Sequence, residues 1–191
     1  RSGRARRLRS YIDHVLALLP FEPEAYRRLD GPPCSYVGHP LVEHIADLTP
    51  VAEDLRRRER RPPILLVLPG SRQSELDRLM PVFAQTLPLL AQQAPPFEAV
   101  LPAVPHLKER IRAAVADWPI KPSVISSETA KFASFKQARA ALAASGTVTL
   151  ELALAGVPMA VAYKVGPLES LLRFVIRTPS IVLPNLILGE N

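Results

Sequence analysis

The chain has 191 residues, a formal net charge of +6, 48% hydrophobic residues and a single cysteine, Cys34. One cysteine excludes an internal disulfide framework and fits a reducing compartment. No secretory signal pattern and no apolar run of membrane-spanning length is present, and many of the 21 prolines fall at apparent strand ends or helix starts, which excludes a disordered chain.

The start, Arg1-Ser2-Gly3-Arg4, lacks a Met and lies in what reads as a basic helix over residues 3–12; the end, Leu183 to Asn191, has no terminating element. Both features suggest a piece of a longer protein. Arg1, Arg4, Arg6, Arg7 and Arg9 form one basic run, and Arg56, Arg57, Arg58, Arg60 and Arg61 form another. Such runs bind nucleic acid or an anionic membrane surface, or they solvate a helix face or linker. No aromatic residues interleave with the arginines, which weighs against nucleic acid; a membrane surface stays open.

His14 to Leu19 reads as a buried strand, Glu24 to Leu29 as a short helix, and Ser35-Tyr36-Val37 as a strand ending at Gly38-His39-Pro40. His39, between a glycine and a proline, is expected to be structural. Leu41 to Asp47 is expected to be helical. Thr49 to Pro63 is polar and charged with no apolar period, so it reads as a linker and a domain boundary. Beyond it, strands are predicted at Ile64–Leu68, Phe97–Leu101, Ser123–Ile125, Ala138–Ala144, Met159–Tyr163 and Ser180–Leu183. Helices are predicted between them, over 74–93, 106–118, 130–137, 147–155 and 168–177. Ser74 and Asp77 stand at capping-box spacing, and Pro81 and Pro88 predict a kink or an early break. Alternation of helices with nearly continuous apolar strands implies an α/β fold, a Rossmann-like parallel sheet with helices on both faces. Ligands in such sheets bind at the carboxyl ends of the strands.

Two turns at such ends carry chemistry. Leu68-Pro69-Gly70-Ser71-Arg72 follows the first of these strands: Gly70 permits close approach, Ser71 and a helix start supply donors, and Arg72 offers a fork suited to phosphate. The loop is neither a Walker A motif nor Gly-x-Gly-x-x-Gly. Ser145-Gly146-Thr147 lies between an apolar strand and a helix that stops at Gly156, a geometry that presents backbone N–H groups to an anion. Glu151 is odd in that helix among Leu150, Leu152, Ala153 and Leu154. A ligand hydroxyl is one candidate partner for it, and a solvated stripe is the alternative. Two anion-friendly turns on one sheet edge, with a downstream Glu for a ribose diol, describe a nucleoside diphosphate site. Asn185, after the last strand, reads from spacing alone as a turn residue. His14, His39, His44 and His106 are scattered, and no Cys, His or carboxylate set has metal-ligand spacing.

Asp13 to Glu22, Tyr36-Val37-Gly38-His39-Pro40, Leu68 to Arg72, Ala144 to Thr147 and Leu183-Pro184-Asn185-Leu186 occur in an order that resembles the lipid-A-disaccharide synthase family, nearly end to end. The resemblance implies a GT-B glycosyltransferase: residues 1–48 the end of an N-terminal Rossmann-like domain, 49–63 a linker, and 64–191 most of the UDP-sugar-binding domain. It implies transfer of 2,3-diacylglucosamine from UDP to 2,3-diacylglucosamine 1-phosphate, forming the β-1,6-linked precursor of lipid A. It implies no cofactor and no metal, no nucleic-acid partner, and work in the cytoplasm at the inner-membrane surface of a Gram-negative bacterium; a homodimer is compatible with it. By position, Arg72 matches an essential Arg that neutralises the diphosphate, and Gly70, Ser71, Ser145, Gly146 and Thr147 match the turns around the phosphates. Glu151 matches the acidic residue on the ribose, and Asn185 an Asn needed for activity, which reverses its reading from spacing. The family's general base lies outside these residues, so UDP binding without turnover is expected. The helix over 168–177, apolar with basic tips, is equally a core helix or an interfacial one. Another GT-B UDP-sugar enzyme, of cell-wall synthesis or an epimerase, is a second reading, against which the Gly-His-Pro and Leu-Pro-Asn motifs weigh; a basic nucleic-acid module is a third.

Overall fold

The computed structural model describes residues 2–164, 180 and 182–189. Contacts divide the chain into two compact units, Arg1–Ile45 with Ile187–Gly189 and Ala46–Leu186 with Glu190–Asn191.

In the first unit, helix α1 (Ser2–Leu8) leads to strand β1 (Val15–Ala17), helix α2 (Glu22–Arg28) and strand β2 (Cys34–Tyr36). The two strands are parallel, with Leu16 opposite Ser35. The segment expected as a buried strand is shorter and half-covered: Ala17 is 2% exposed and Leu16 67%. An apolar run without a period suggests cover on both faces, whereas the described residues of this unit cover one. Asp30 accepts from Arg9 at 2.6 Å and pairs with Arg6 at 3.0 Å, so part of the first arginine run is neutralised within the fold. Burial and then the Glu22 charge push the Cys34 thiol up, which leaves it a weak nucleophile. His39 is structural as expected: its Nδ1 accepts from the Leu41 N–H at 3.1 Å and caps the short 3₁₀ turn Pro40–His44.

The second unit is a five-stranded, all-parallel sheet in the order β5-β4-β3-β6-β7. Its strands are β3 (Ile64–Leu68), β4 (Glu98–Pro102), β5 (Ser123–Ile125), β6 (Ala138–Ala144) and β7 (Met159–Ala162). The chain enters at the central β3, steps outward to β4 and β5, then returns to the other side of β3. That reversal requires helices on both faces, because each parallel crossover is right-handed. On one face, α5 (Gln73–Gln93) and α6 (Lys108–Val115) pack Leu76, Phe83, Leu87 and Ile111 on Leu65 and Val67. On the other, α7 (Glu128–Gln137) and α8 (Val148–Leu154) bring the fully buried Phe135 and Leu152 to the side of Leu66. Every residue of β3 is buried, as a sheet covered on both sides requires.

Four expectations need correction. The 49–63 stretch, read as a linker, carries a helix and belongs to the second unit. Leu48, at the end of helix α3 (Ile45–Leu48), is fully buried, and helix α4 (Ala52–Glu59) follows it, against α7 and β6. Its anchor is polar, so it has no apolar period to find. Arg58 donates from Nε to the Lys136 carbonyl at 2.7 Å and from its amino groups to the Gly156 carbonyl at 3.1 Å and the Ala155 carbonyl at 2.5 Å. These are the C-terminal ends of α7 and α8, whose last carbonyls lack helical donors. Burial pulls the Arg58 guanidinium below its usual range, against the opposing pull of Asp54.

The predicted break at Pro81 or Pro88 is absent, and α5 runs through both residues. Neither proline is buried, so carbonyls left without a donor near them stay within reach of water, while Leu76, Leu79, Met80, Phe83 and Leu87 hold the helix to the sheet. The cap of α5 is also not Ser74 with Asp77; Arg72 is the N-cap and Glu75 supplies the capping carboxylate.

The last strand, over 180–183, is replaced at its end by helix α9 (Leu183–Leu188). Ile181 and the whole 168–177 segment lie outside the described residues.

Asp54, 6% exposed, makes a pH prediction. Burial alone would raise its carboxyl, but the Val51 N–H, the Gln137 amide, Lys136 and Arg58 outweigh that and hold it below the usual range. A depressed folded value stabilises the protein above the unfolded value, 3.8, and that contribution fades as pH falls through the folded one. The difference in Tm between wild type and Asp54→Asn is therefore expected to be constant above about pH 5 and to shrink below about pH 4. Parallel Tm curves down to pH 3 would show that Asp54 makes no such contribution.

Candidate functional site

The reversal between β3 and β6 leaves a crevice at the carboxyl end of the sheet, where neighbouring strands send their chains to opposite faces. A cavity of about 670 Å³ occupies it. Its walls come from the segments just after four strands: Gly70–Arg72 after β3, Ala103 and Val104 after β4, Ser126 and Ser127 after β5, and Ser145–Thr147 after β6. The volume lies within the usual range for a small-molecule site.

In the first loop, Gly70 has φ +116, a conformation open to glycine, and a Cβ there would stand 2.6 Å from the Glu75 Cβ. The tight loop lets the Ser71 and Arg72 N–H groups donate to Glu75 Oε2 at 3.0 and 3.3 Å. The Arg72 guanidinium donates to Glu75 Oε1 at 3.0 Å while its side chain stays 80% exposed. The loop thus already holds an oxyanion, an internal carboxylate, with donors of the kind a phosphate takes.

In the second loop, Gly146 has φ +146, and nothing lies within 4 Å of where its Cβ would be. The backbone is open to close approach there. The fully buried Thr149 donates its hydroxyl to the Gly146 carbonyl at 2.7 Å and its N–H to the same oxygen at 3.1 Å. Those bonds fix the loop. Thr147 is the N-cap of α8, but its side chain makes no capping hydrogen bond.

Glu151 resolves neither as a solvated residue nor as an unpartnered one. Its side chain is 17% exposed and accepts from Lys131 Nζ at 2.7 Å. Both residues line the cavity.

Gly70, Ser71, Arg72, Ser145, Gly146, Thr147 and Glu151 thus converge on one cavity. Asn185 does not line it; it is half-buried in α9, whose first residue, Leu183, does. Sequence reasoning missed Lys131 and Thr149. Lys131 is one cation among many in an unremarkable helix pattern, and only the fold brings it to Glu151, 20 residues on. Among the described residues, no group of three or more His, Cys, Asp or Glu stands where it would hold a metal ion, and no helix is long and apolar enough to cross a membrane.

A model of the family described as Lipid-A-disaccharide synthetase matches residues 1–191. The chain is 60% identical over 192 residues to the lipid-A-disaccharide synthase of Nitrobacter winogradskyi, an alignment covering all of this chain and 48% of that protein. It is 54% identical to the corresponding synthase of Bradyrhizobium diazoefficiens, covering all of this chain and 49% of that protein. It is 40% identical to that of Ruegeria pomeroyi, covering 98% of this chain and 49% of that protein. The chain spans about half the length of the curated relatives it matches.

Proposed function

The chain belongs to the lipid-A-disaccharide synthase family, and from that premise we propose that it carries the donor half of a glycosyltransferase. The reaction is transfer of 2,3-diacylglucosamine from UDP to 2,3-diacylglucosamine 1-phosphate, yielding the β-1,6-linked disaccharide precursor of lipid A at the inner-membrane surface. The supporting observation is the convergence of the Gly70–Arg72 and Ser145–Thr147 loops on one cavity at the sheet reversal.

Breaking the bond from the sugar to UDP loads negative charge onto the diphosphate. Arg72 would neutralise it by exchanging its Glu75 partner for the phosphates, together with the backbone of the Gly146–Thr147 turn, where the chain is open to close approach. On this proposal the charge is met by the protein itself and the transfer is independent of divalent metal. Glu151 receives the ribose. Asn185 stays in the proposal as a residue of α9 that supports activity rather than as part of the cavity wall.

The test is calorimetric titration of the chain with UDP, uridine and a short DNA duplex at two salt concentrations. UDP is expected to bind in EDTA, with uridine at least about 10-fold weaker for want of the charge-assisted hydrogen bonds. Equal affinities for UDP and uridine would remove the diphosphate assignment. Salt-sensitive DNA binding with no response to UDP would favour a basic nucleic-acid module instead.

A further inference from the structure

Glu151 is four residues beyond the Gly146–Thr147 turn and forms part of the cavity wall. A carboxylate that is 17% exposed requires a donor to stay there. Lys131 supplies it, with Nζ 2.7 Å from Oε1. This lysine is itself constrained. It sits in the first turn of α7, which Ser127 caps by accepting from the Ala130 N–H at 3.2 Å, and its ammonium lies 5.4 Å from the ring centres of both Phe132 and Phe135. Phe135 is fully buried in the sheet face. The ammonium is therefore held on two sides while 67% of the Lys131 side chain is withdrawn from solvent, its side-chain exposure being 33%. Two ring contacts and one ion pair leave it few rotamers.

We propose that Lys131 is a positioning residue for ribose recognition. It locks the Glu151 carboxylate by one oxygen, so that the other is presented to the hydroxyl groups of a ribonucleoside diphosphate. The inference rests on the assignment of Glu151 to the ribose. Without Lys131, the carboxylate would turn out to solvent and the cavity would lose its means of telling ribose from deoxyribose. A site built to hydrogen-bond a hydroxyl rejects a ligand that lacks it, because the protein group is then left unpaired.

Binding of UDP, 2′-deoxy-UDP and 3′-deoxy-UDP is measured by calorimetry for wild type, Glu151→Gln, Lys131→Met and Lys131→Arg, with a thermal melt of each. Methionine keeps the apolar stem against the phenylalanines, and arginine keeps the charge. Wild type is expected to prefer UDP over one deoxy analogue by about 10-fold. Glu151→Gln and Lys131→Met should both reduce that ratio to near one, through weaker UDP binding and unchanged binding of the analogue, while Lys131→Arg restores most of it. If wild type itself does not discriminate, the ribose assignment falls and this inference with it. If wild type discriminates and Glu151→Gln does not, but Lys131→Met keeps the ratio or weakens all three ligands equally, the ribose assignment stands and the role of Lys131 is overturned.

Discussion

Replacing Arg72 by alanine is expected to weaken UDP binding about 10- to 100-fold, the loss of a charge-assisted, two-pronged contact to phosphate. The side chain is 80% exposed and its partner among the described residues is Glu75, within the same turn, so its removal should leave the fold standing. Binding and stability then separate: the Kd moves and the Tm moves by a few degrees at most. Arg72→Lys should recover part of the affinity, because an ammonium supplies charge but not the planar fork. Uridine binding should be insensitive to the change, since it has no diphosphate to lose. Equal weakening of uridine and UDP would mean that Arg72 shapes the cavity rather than meeting the phosphates.

The second large effect is on stability. Arg58→Ala removes three hydrogen bonds to the backbone, at Lys136, Ala155 and Gly156, and one of the cations that offset the burial of Asp54. Hydrogen bonds to charged groups are worth about 1.5–3 kcal/mol each when buried, and Arg58 is only partly buried, so a loss of about 2–3 kcal/mol overall is expected. For a domain of this size that corresponds to a fall in Tm of about 4–12 °C. Arg58→Lys should recover little, because one ammonium cannot reach three carbonyls on two helix ends. The substitution acts at the far end of α8 from the cavity, so UDP affinity measured well below the Tm should change less than about threefold. An unchanged Tm would show that α4 is not fastened by this residue.

Much of the sheet is legible in the sequence, for a definite reason. Ile64–Leu68, Ser123–Ile125 and Ala138–Ala144 are strands with the boundaries their residues suggest. The central β3, buried on both faces, must be apolar throughout, and the other two runs are largely apolar with their exposed Ser123 and Arg139 at or next to the strand start. The order of the strands in the sheet is not written in any one of them. It emerges from the crossovers, yet it decides that the loops after β3 and β6 are neighbours. Gly70 and Gly146 are readable as turn residues of the candidate site because each stands between an apolar strand and a helix, and both adopt a positive φ. What escapes sequence reading is held by polar side chains across long separations. Arg58 reaches Gly156, 98 residues away, so α4 passes for a linker. Lys131 reaches Glu151 from another helix, so the carboxylate passes for one satisfied by a ligand hydroxyl or by solvent. Pro81 and Pro88 mislead for the opposite reason: local propensity opposes the helix, and a buried apolar stripe overrides it.

The most direct measurement is a map of backbone amide shifts in the chain as UDP is added in the presence of EDTA. Saturable shifts confined to Ser71, Arg72 and Ser145 to Glu151, with the amides of the first unit still, are the expected result. No saturable response, or one centred away from those two loops, would contradict the assignment of the cavity between β3 and β6 to the nucleoside diphosphate.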